Sequence, residues 1–255
     1  GPAGLAAAYQ LRKKGHGVTI FEEHDQLGGM MRFGIPGYRT PREMLDNEIG
    51  RITDMGVEVR TSTRVGKDIS MEDVDKDYDA VFWAIGAQSG RPLPIDGADA
   101  TNCITGVAFL DSFNQGKLQH VTGRIIVVGG GDTSIDVASV ARRLGHIETI
   151  NENDRPEMVV LGHTAHDVAT TAVREGADVT LTSLFPIDEM MAAEREREDA
   201  KSEGVDLRGG IMPLEVIVNS DGRATALKLC ECEMDGATPV AKEGTEFEIE
   251  CDLIV

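Results

Sequence analysis

Arg124-Ile125-Ile126-Val127-Val128-Gly129-Gly130-Gly131-Asp132-Thr133-Ser134 is an apolar run that empties into three consecutive glycines. The run suits a buried strand, and the glycines cannot continue it. Ile135-Asp136-Val137-Ala138-Ser139-Val140-Ala141-Arg142-Arg143-Leu144-Gly145 then returns with helical spacing and a terminal glycine. A strand, a glycine turn and a helix present free backbone N–H groups to a pyrophosphate, with no Cβ in the way. Gly129, Gly130, Gly131, Asp132, Thr133 and Ser134 are therefore candidate dinucleotide contacts. Ser134 stands where a third glycine would pack helix on strand more closely. Asp132, near a negative pyrophosphate, is expected to bond backbone N–H groups or a cofactor hydroxyl rather than phosphate.

The same device stands at the start of the chain. Gly1-Pro2-Ala3-Gly4-Leu5 matches the later part of G-x-G-x-x-G, with the first glycine and its strand missing, and the apolar helix Leu5 to Lys14 follows. Gly15-His16-Gly17 ends that helix, and Val18-Thr19-Ile20-Phe21 reads as a buried strand leading to Glu22 and Glu23. An acid about 20 residues past the turn is placed to accept from adenosine ribose hydroxyls. Gly1, Pro2, Ala3, Gly4, Glu22 and Glu23 form the candidate first site. Shifting the chain on itself places Gly1 on Gly131, Gly15-His16 on Gly145-His146, Thr19-Ile20 on Thr149-Ile150 and Glu22 on Glu152, as two modules of common design would show.

Leu27-Gly28-Gly29-Met30-Met31-Arg32-Phe33-Gly34-Ile35-Pro36 is too rich in glycine for a helix interior and lets backbone approach a flat ring. It resembles the G-G-x-x-R-x-G-I-P stretch of the glutamate synthase small subunit and related NAD(P)H-dependent FAD oxidoreductases. The resemblance implies Gly29, Met30, Arg32, Gly34 and Ile35 as FAD contacts, with Arg32 answering the dianionic cofactor; packing explains Met30 and Met31 equally well. Tyr78-Asp79-Ala80-Val81-Phe82-Trp83-Ala84-Ile85-Gly86-Ala87 resembles the family's strand and turn near FAD, which adds Ala84, Ile85 and Gly86. Trp83 is expected in the core. The alternating segment Gly56 to Gly66 is expected to be a strand, and the resemblance puts backbone at Val65 against the adenine.

The expected architecture is α/β, with two Rossmann-like dinucleotide-binding domains. Residues 1–100 would form an FAD-binding domain truncated at both ends, since Asp252-Leu253-Ile254-Val255 resembles Asp79-Ala80-Val81-Phe82 but stops short of its turn. Residues 101–255 would bind NAD(P), with an insertion near 146–176. Within the insertion, Gly162-His163-Thr164-Ala165-His166-Asp167-Val168-Ala169 echoes the stretch from Gly131 to Ala138. An added helix after Asp154-Arg155-Pro156-Glu157 is favoured over an added strand, Met158 to Leu161, with its own helix, because Gly162 lacks a glycine partner. His146, His163 and His166 read as surface residues. Ala177 to Ser183 resembles the family's second strand. Where NADP-dependent members carry an arginine pair for the 2′-phosphate, this chain has Leu184-Phe185, and no arginine follows until Arg195. NADH is thus expected over NADPH, with Glu152 a candidate ribose ligand.

Composition narrows the function classes. A net charge of −19 over 255 residues argues against nucleic acid or an anionic membrane as partner, because phosphate neutralisation needs clustered Lys and Arg. No apolar run is long enough to span a bilayer and no signal peptide is visible, so the cytoplasm is the expected compartment. Cys103, Cys230, Cys232 and Cys251 form no C-x-x-C pair and read as reduced structural thiols. Cys230 and Cys232 alternate on one strand, and Ala192 to Lys201 is a charged helix face. No metal ligands are expected. The resemblance implies hydride transfer from NAD(H) or NADP(H) to FAD, with electrons passing to iron–sulfur or flavin centres of a larger partner subunit. Iron–sulfur clusters would lie upstream of Gly1 or in that partner. No side chain is expected as a catalytic acid or base, since the cofactors carry the chemistry. A flavin monooxygenase and a non-catalytic docking scaffold are the competing readings.

Overall fold

The computed structural model describes residues 1–144 and 177–255. It divides into two compact units, Gly1–Gln88 and Ser89–Val255. Gly145, Glu152, the three histidines and the helix expected within 146–176 lie outside the described residues.

In the first unit, α1 (Pro2–Lys13) starts immediately after Gly1, with proline in its first turn where a missing N–H costs nothing. Leu5 and Ala8 face inward. Strand β1 (Thr19–Phe21) is half-buried, and a single helical turn, α2 (Met30–Phe33), follows. The glycine-rich stretch therefore does contain helix; its glycines, Gly29 and Gly34, cap the turn instead of interrupting it. Helix α3 (Arg42–Thr53) buries Leu45, Ile49 and Ile52, spaced four and three residues apart. β2 (Glu58–Arg60) pairs in parallel with β1 and is all that forms of the longer strand expected from Gly56 to Gly66. α4 (Met71–Asp77) is capped by Ser70, whose hydroxyl accepts from the Asp73 N–H at 3.1 Å. Leu5, Ala8, Leu27, Leu45, Ile49, Ile52 and Val57 make the core.

The expected strand at Tyr78 to Ala87 is not one. Among the described residues β1 pairs only with β2, so the segment has no ladder to join and its apolar side chains have no face to bury. Trp83 is 54% exposed rather than in the core, and Phe82 and Ile85 are 64% and 73% exposed.

In the second unit, α5 (Gly106–Asn114) is capped by Thr105 and buries Phe109, Leu110 and Phe113. β3 (Arg124–Val128) leads through the glycines into α6 (Asp132–Leu144), which begins at Asp132, ahead of the apolar run from Ile135. β4 (Asp178–Thr182), a 3₁₀ turn (Ile187–Glu189), α7 (Glu194–Ser202) and β5 (Asp206–Arg208) follow. An antiparallel group comes next: β6 (Ile211–Val218), β7 (Ala224–Asp235), β8 (Thr238–Ala241) and β9 (Phe247–Glu250), with β7 paired to all three others. Finally β10 (Leu253–Ile254) joins a parallel sheet of order β10-β3-β4-β5.

Ile125, Ile126 and Val127 are each 1% exposed, as befits a parallel strand covered on both faces. Each such side chain contributes about 1.5–3 kcal/mol by leaving water. Ile126 and Ile254 of the parallel sheet share one core with Val216, Leu227 and Leu229 of the antiparallel group. Buried Asn102 ties the two together: its Nδ2 donates to the carbonyls of Ala224 (2.9 Å) and Asp252 (2.8 Å), and its Oδ1 accepts from the Ala224 N–H (2.7 Å).

Candidate functional site

The first unit brings two of its glycine turns into backbone contact. Gly29 has φ +55°, and a Cβ there would lie 2.6 Å from the Gly1 Cα. Only glycine allows that approach. A Cβ on Gly4 would touch Ala84 at 3.4 Å, so Ala84 also reaches the start of α1. Glu22 leaves β1 toward the same point: its Oε2 is 4.0 Å from the Gly1 nitrogen, while Oε1 accepts from the His24 backbone N–H at 3.1 Å and lies 3.0 Å from His24 Nδ1. His24 stacks on Phe33, with centroids 4.1 Å apart.

Gly1, Gly4, Glu22, Gly29 and Ala84 thus converge, and Pro2 and Ala3 form the first turn of the helix between them. Glu23 is 3.6 Å from Arg64 Nε, next to Val65, which is half-buried and bridged to Ile69. Ile85 and Gly86 follow Ala84 in exposed backbone.

Arg32 is 9% exposed. Its Nε donates to the Leu27 carbonyl at 2.6 Å and its Nη2 to the Asp46 carboxylate. Its charge is therefore already matched, and it shapes the turn it belongs to. Together with Asp46 it walls an open cleft of about 380 Å³ that also includes Asp25, Gln26 and Thr61. Arg42, which the motif did not single out, holds the stretch from outside: Nη1 donates to the Met31 and Thr40 carbonyls and Nη2 to that of Ile35. Gly34 packs on Met30, where a Cβ would meet the Sδ at 2.8 Å.

The second unit builds a similar turn. Gly129 has φ +146°, its N–H donates to the Thr182 carbonyl at 2.9 Å, and a Cβ on it would collide with the Ser134 hydroxyl. Ser134, in place of a glycine, thus fits only because Gly129 lacks a side chain. A Cβ on Gly130 would lie 2.5 Å from the Ser183 Oγ, and the Gly130 carbonyl accepts from the Ala192 N–H at 3.1 Å. Gly131 faces open space. Asp132 and Thr133 are exposed at the helix start, and the Thr133 methyl would be 3.3 Å from a Cβ on Gly106. Ser183 and Gly106 border the turn without belonging to any motif; only the parallel pairing of β3 with β4 and the packing of α5 bring them there.

Each turn puts glycine backbone at the start of a helix, the arrangement a dinucleotide pyrophosphate binds. The cysteines offer different chemistry and do not use it. Cys230, Cys232 and Cys251 are buried, Cys103 is half-buried, and all four are free. Burial pushes every one of these thiols up, Cys251 to about 11 with further upward pressure from Cys103 and Asp252. The thiolate is the reactive form, so at neutral pH these side chains are poor nucleophiles. Among the described residues no group of three His, Cys, Asp or Glu is placed to hold a metal ion, and no helix is long and apolar enough to cross a membrane.

The model of the pyridine nucleotide-disulphide oxidoreductase family matches residues 1–255. The chain belongs to this family. This oxidoreductase is therefore built for FAD and a pyridine nucleotide, the frame in which its two glycine turns are understood. It is 35% identical to the NADP(+)-dependent formate dehydrogenase subunit beta of Moorella thermoacetica, across all of this chain and 33% of that protein. It is 33% identical to the NADPH-Fe(3+) oxidoreductase subunit beta of Geobacter sulfurreducens (all of this chain, 35% of that one) and 31% to a glutamate synthase [NADPH] small chain of Mycobacterium tuberculosis (all of this chain, 51% of that one). The oxidoreductase thus spans between a third and about half of the length of these relatives. Among solved structures, FprA of M. tuberculosis in complex with NADPH superposes with a TM-score of 0.73 at 18% identity, over 99% of this chain and 67% of that one, and shares the fold.

Proposed function

We propose that the chain takes a hydride from a nicotinamide coenzyme onto FAD and forwards the electrons to an iron–sulfur or flavin centre of a larger partner. The observation that carries this is the pair of glycine turns, one in each unit, each opening a helix: a Cβ on Gly29 would collide with Gly1, and one on Gly129 or Gly130 with Ser134 or Ser183. FAD, when bound, accepts the hydride at N5 from C4 of the nicotinamide and can release its two electrons separately. The chain's own residues bind and orient. Gly1, Gly4 and Gly29, with the turn residues Pro2 and Ala3, would receive the FAD pyrophosphate, Glu22 the adenosine ribose, and the stretch from Met30 to Ile35 would flank the ring. Glu23, Val65, Ala84, Ile85 and Gly86 complete the proposed FAD set. Gly129 to Ser134 would receive the nicotinamide coenzyme.

Hydride transfer between cofactors needs no proton from a side chain, and no acid or base is assigned. The partner is supported by the relatives, whose names describe them as subunits or small chains. The test is anaerobic mixing of the flavin-loaded holoenzyme containing this chain with NADH or NADPH. Loss of the oxidised-flavin absorbance with at least one of them is expected. Retention of the absorbance with both overturns the proposal.

A further inference from the structure

In a dinucleotide-binding module the pyrophosphate rests on the glycine turn and the adenosine ribose at the end of the second strand, where an acid suits NADH and an arginine the 2′-phosphate of NADPH. Here that strand is β4: it lies parallel to β3 with Val128 opposite Thr182, and its next residue, Ser183, closes over Gly130. The rim that follows is Ser183-Leu184-Phe185-Pro186-Ile187-Asp188-Glu189, which holds two carboxylates and no cation. We propose that this rim makes the chain select NADH over NADPH. The inference rests on the second unit being the nicotinamide module.

Two observations deepen what the residue types alone suggest. First, the rim is fixed. The Phe185 N–H donates to the Ser183 Oγ at 3.1 Å, and the Phe185 carbonyl accepts from the Gly210 N–H at 3.1 Å. The Ser183 carbonyl accepts from the Ile211 N–H at 2.9 Å, and the Leu184 carbonyl lies 3.5 Å from the Cys232 Sγ. Gly209 presses so closely from behind that a Cβ would sit 2.5 Å from the Ile187 nitrogen. Leu184 and Phe185 take part in these contacts through backbone atoms, so the path of the rim does not depend on their side chains.

Second, among the described residues the arginines of the adjoining elements have carbonyl or carboxylate partners of their own, Arg197 through backbone carbonyls and Arg195 and Arg208 through exposed carboxylates. Arg197 Nη1 donates to the Met190 and Ala192 carbonyls at 2.9 and 2.8 Å, Arg208 Nε to Asp206 at 2.8 Å, and Arg195 Nε lies 3.9 Å from Asp199. A phosphate monoester carries about −1.5 to −2 charges at neutral pH and binds best to a planar guanidinium fork. Placed near Asp188 and Glu189 it meets repulsion instead. The relatives named above carry NADPH or NADP(+) in their names, so the preference sets this chain apart from them.

Calorimetric titration of the holoenzyme containing this chain with NAD+ and with NADP+ reads the preference without turnover. NAD+ is expected to bind more than tenfold tighter, a difference of more than about 1.4 kcal/mol. The double variant Leu184→Arg/Phe185→Arg should shift the ratio of NADP+ to NAD+ affinity at least tenfold toward NADP+. Affinities within tenfold of each other in the unaltered protein, or NADP+ the tighter, overturn the inference while leaving the proposed function standing. Binding of neither nucleotide overturns both. If the variant does not fold, the comparison in the unaltered holoenzyme decides alone.

Discussion

Thr182 ends β4 with its hydroxyl buried and, among the described residues, without a hydrogen-bond partner. An unsatisfied buried hydroxyl costs about 1–3 kcal/mol, and valine fills nearly the same volume without that cost. Thr182→Val is expected to stabilise the protein by about 1 kcal/mol, read as a raised midpoint in denaturant unfolding; a lowered midpoint would show that the hydroxyl is bonded. Gly29→Ala works in the opposite direction. A methyl there meets backbone at Gly1 and holds a strained positive φ, which costs of order 1–3 kcal/mol before any contact is counted. The variant holoenzyme should lose most of its flavin, measured as the ratio of flavin to protein after gel filtration. These glycines were legible in the sequence because a backbone requirement is written in residue type. Arg42, Ser183 and Gly209 were not: their neighbours are brought together only by tertiary packing, and no local pattern marks them.

At the scale of elements, strand, glycine turn and helix were readable at Arg124 to Leu144 because apolar periodicity and glycine spacing agree there. They disagreed with the outcome at Tyr78 to Ala87, where an apolar run shows that a segment would bury itself but not whether a neighbouring strand exists to receive it. Asn102 joins elements that no spacing connects. Asn102→Ala would leave a buried N–H and two carbonyls without its amide, an expected loss of about 3 kcal/mol in chemical denaturation. An effect below 0.5 kcal/mol would show that water replaces the amide at no cost. The strand pair around Cys251 also sets an alkaline limit. With the folded thiol near 11 and the unfolded one near its ordinary value, the unfolded chain loses the proton first. Stability should be unaffected by this group below about pH 8.5, fall as pH rises toward 11 and level off beyond. Unfolding midpoints compared across that range for the parent and Cys251→Ala check this, the variant showing the shallower decline.

Over the whole molecule, each of the two units has its own core, one of seven residues around Leu5 to Val57 and one built on Ile126, Leu227 and Ile254. Calorimetry of the holoenzyme should therefore resolve separate unfolding transitions for them. A nicotinamide coenzyme at a hundred times its dissociation constant should stabilise the second unit alone by about 2.7 kcal/mol. A coenzyme-induced shift in both transitions would show that the units unfold as one. The order of strands carries a further consequence, for the chain as it leaves the ribosome. β3 is made well before β10 and ends at the glycine turn, yet β10, the last strand of the described chain, is one of its two partners, and the Asn102 amide likewise waits for Ala224 and Asp252. Until those residues emerge, the edge of β3 is open, with unpaired backbone able to join a foreign strand. Long-range pairing of this kind is slow to form. Synthesis thus passes through an interval in which the glycine turn after β3 has only one side of its sheet, β4 and β5.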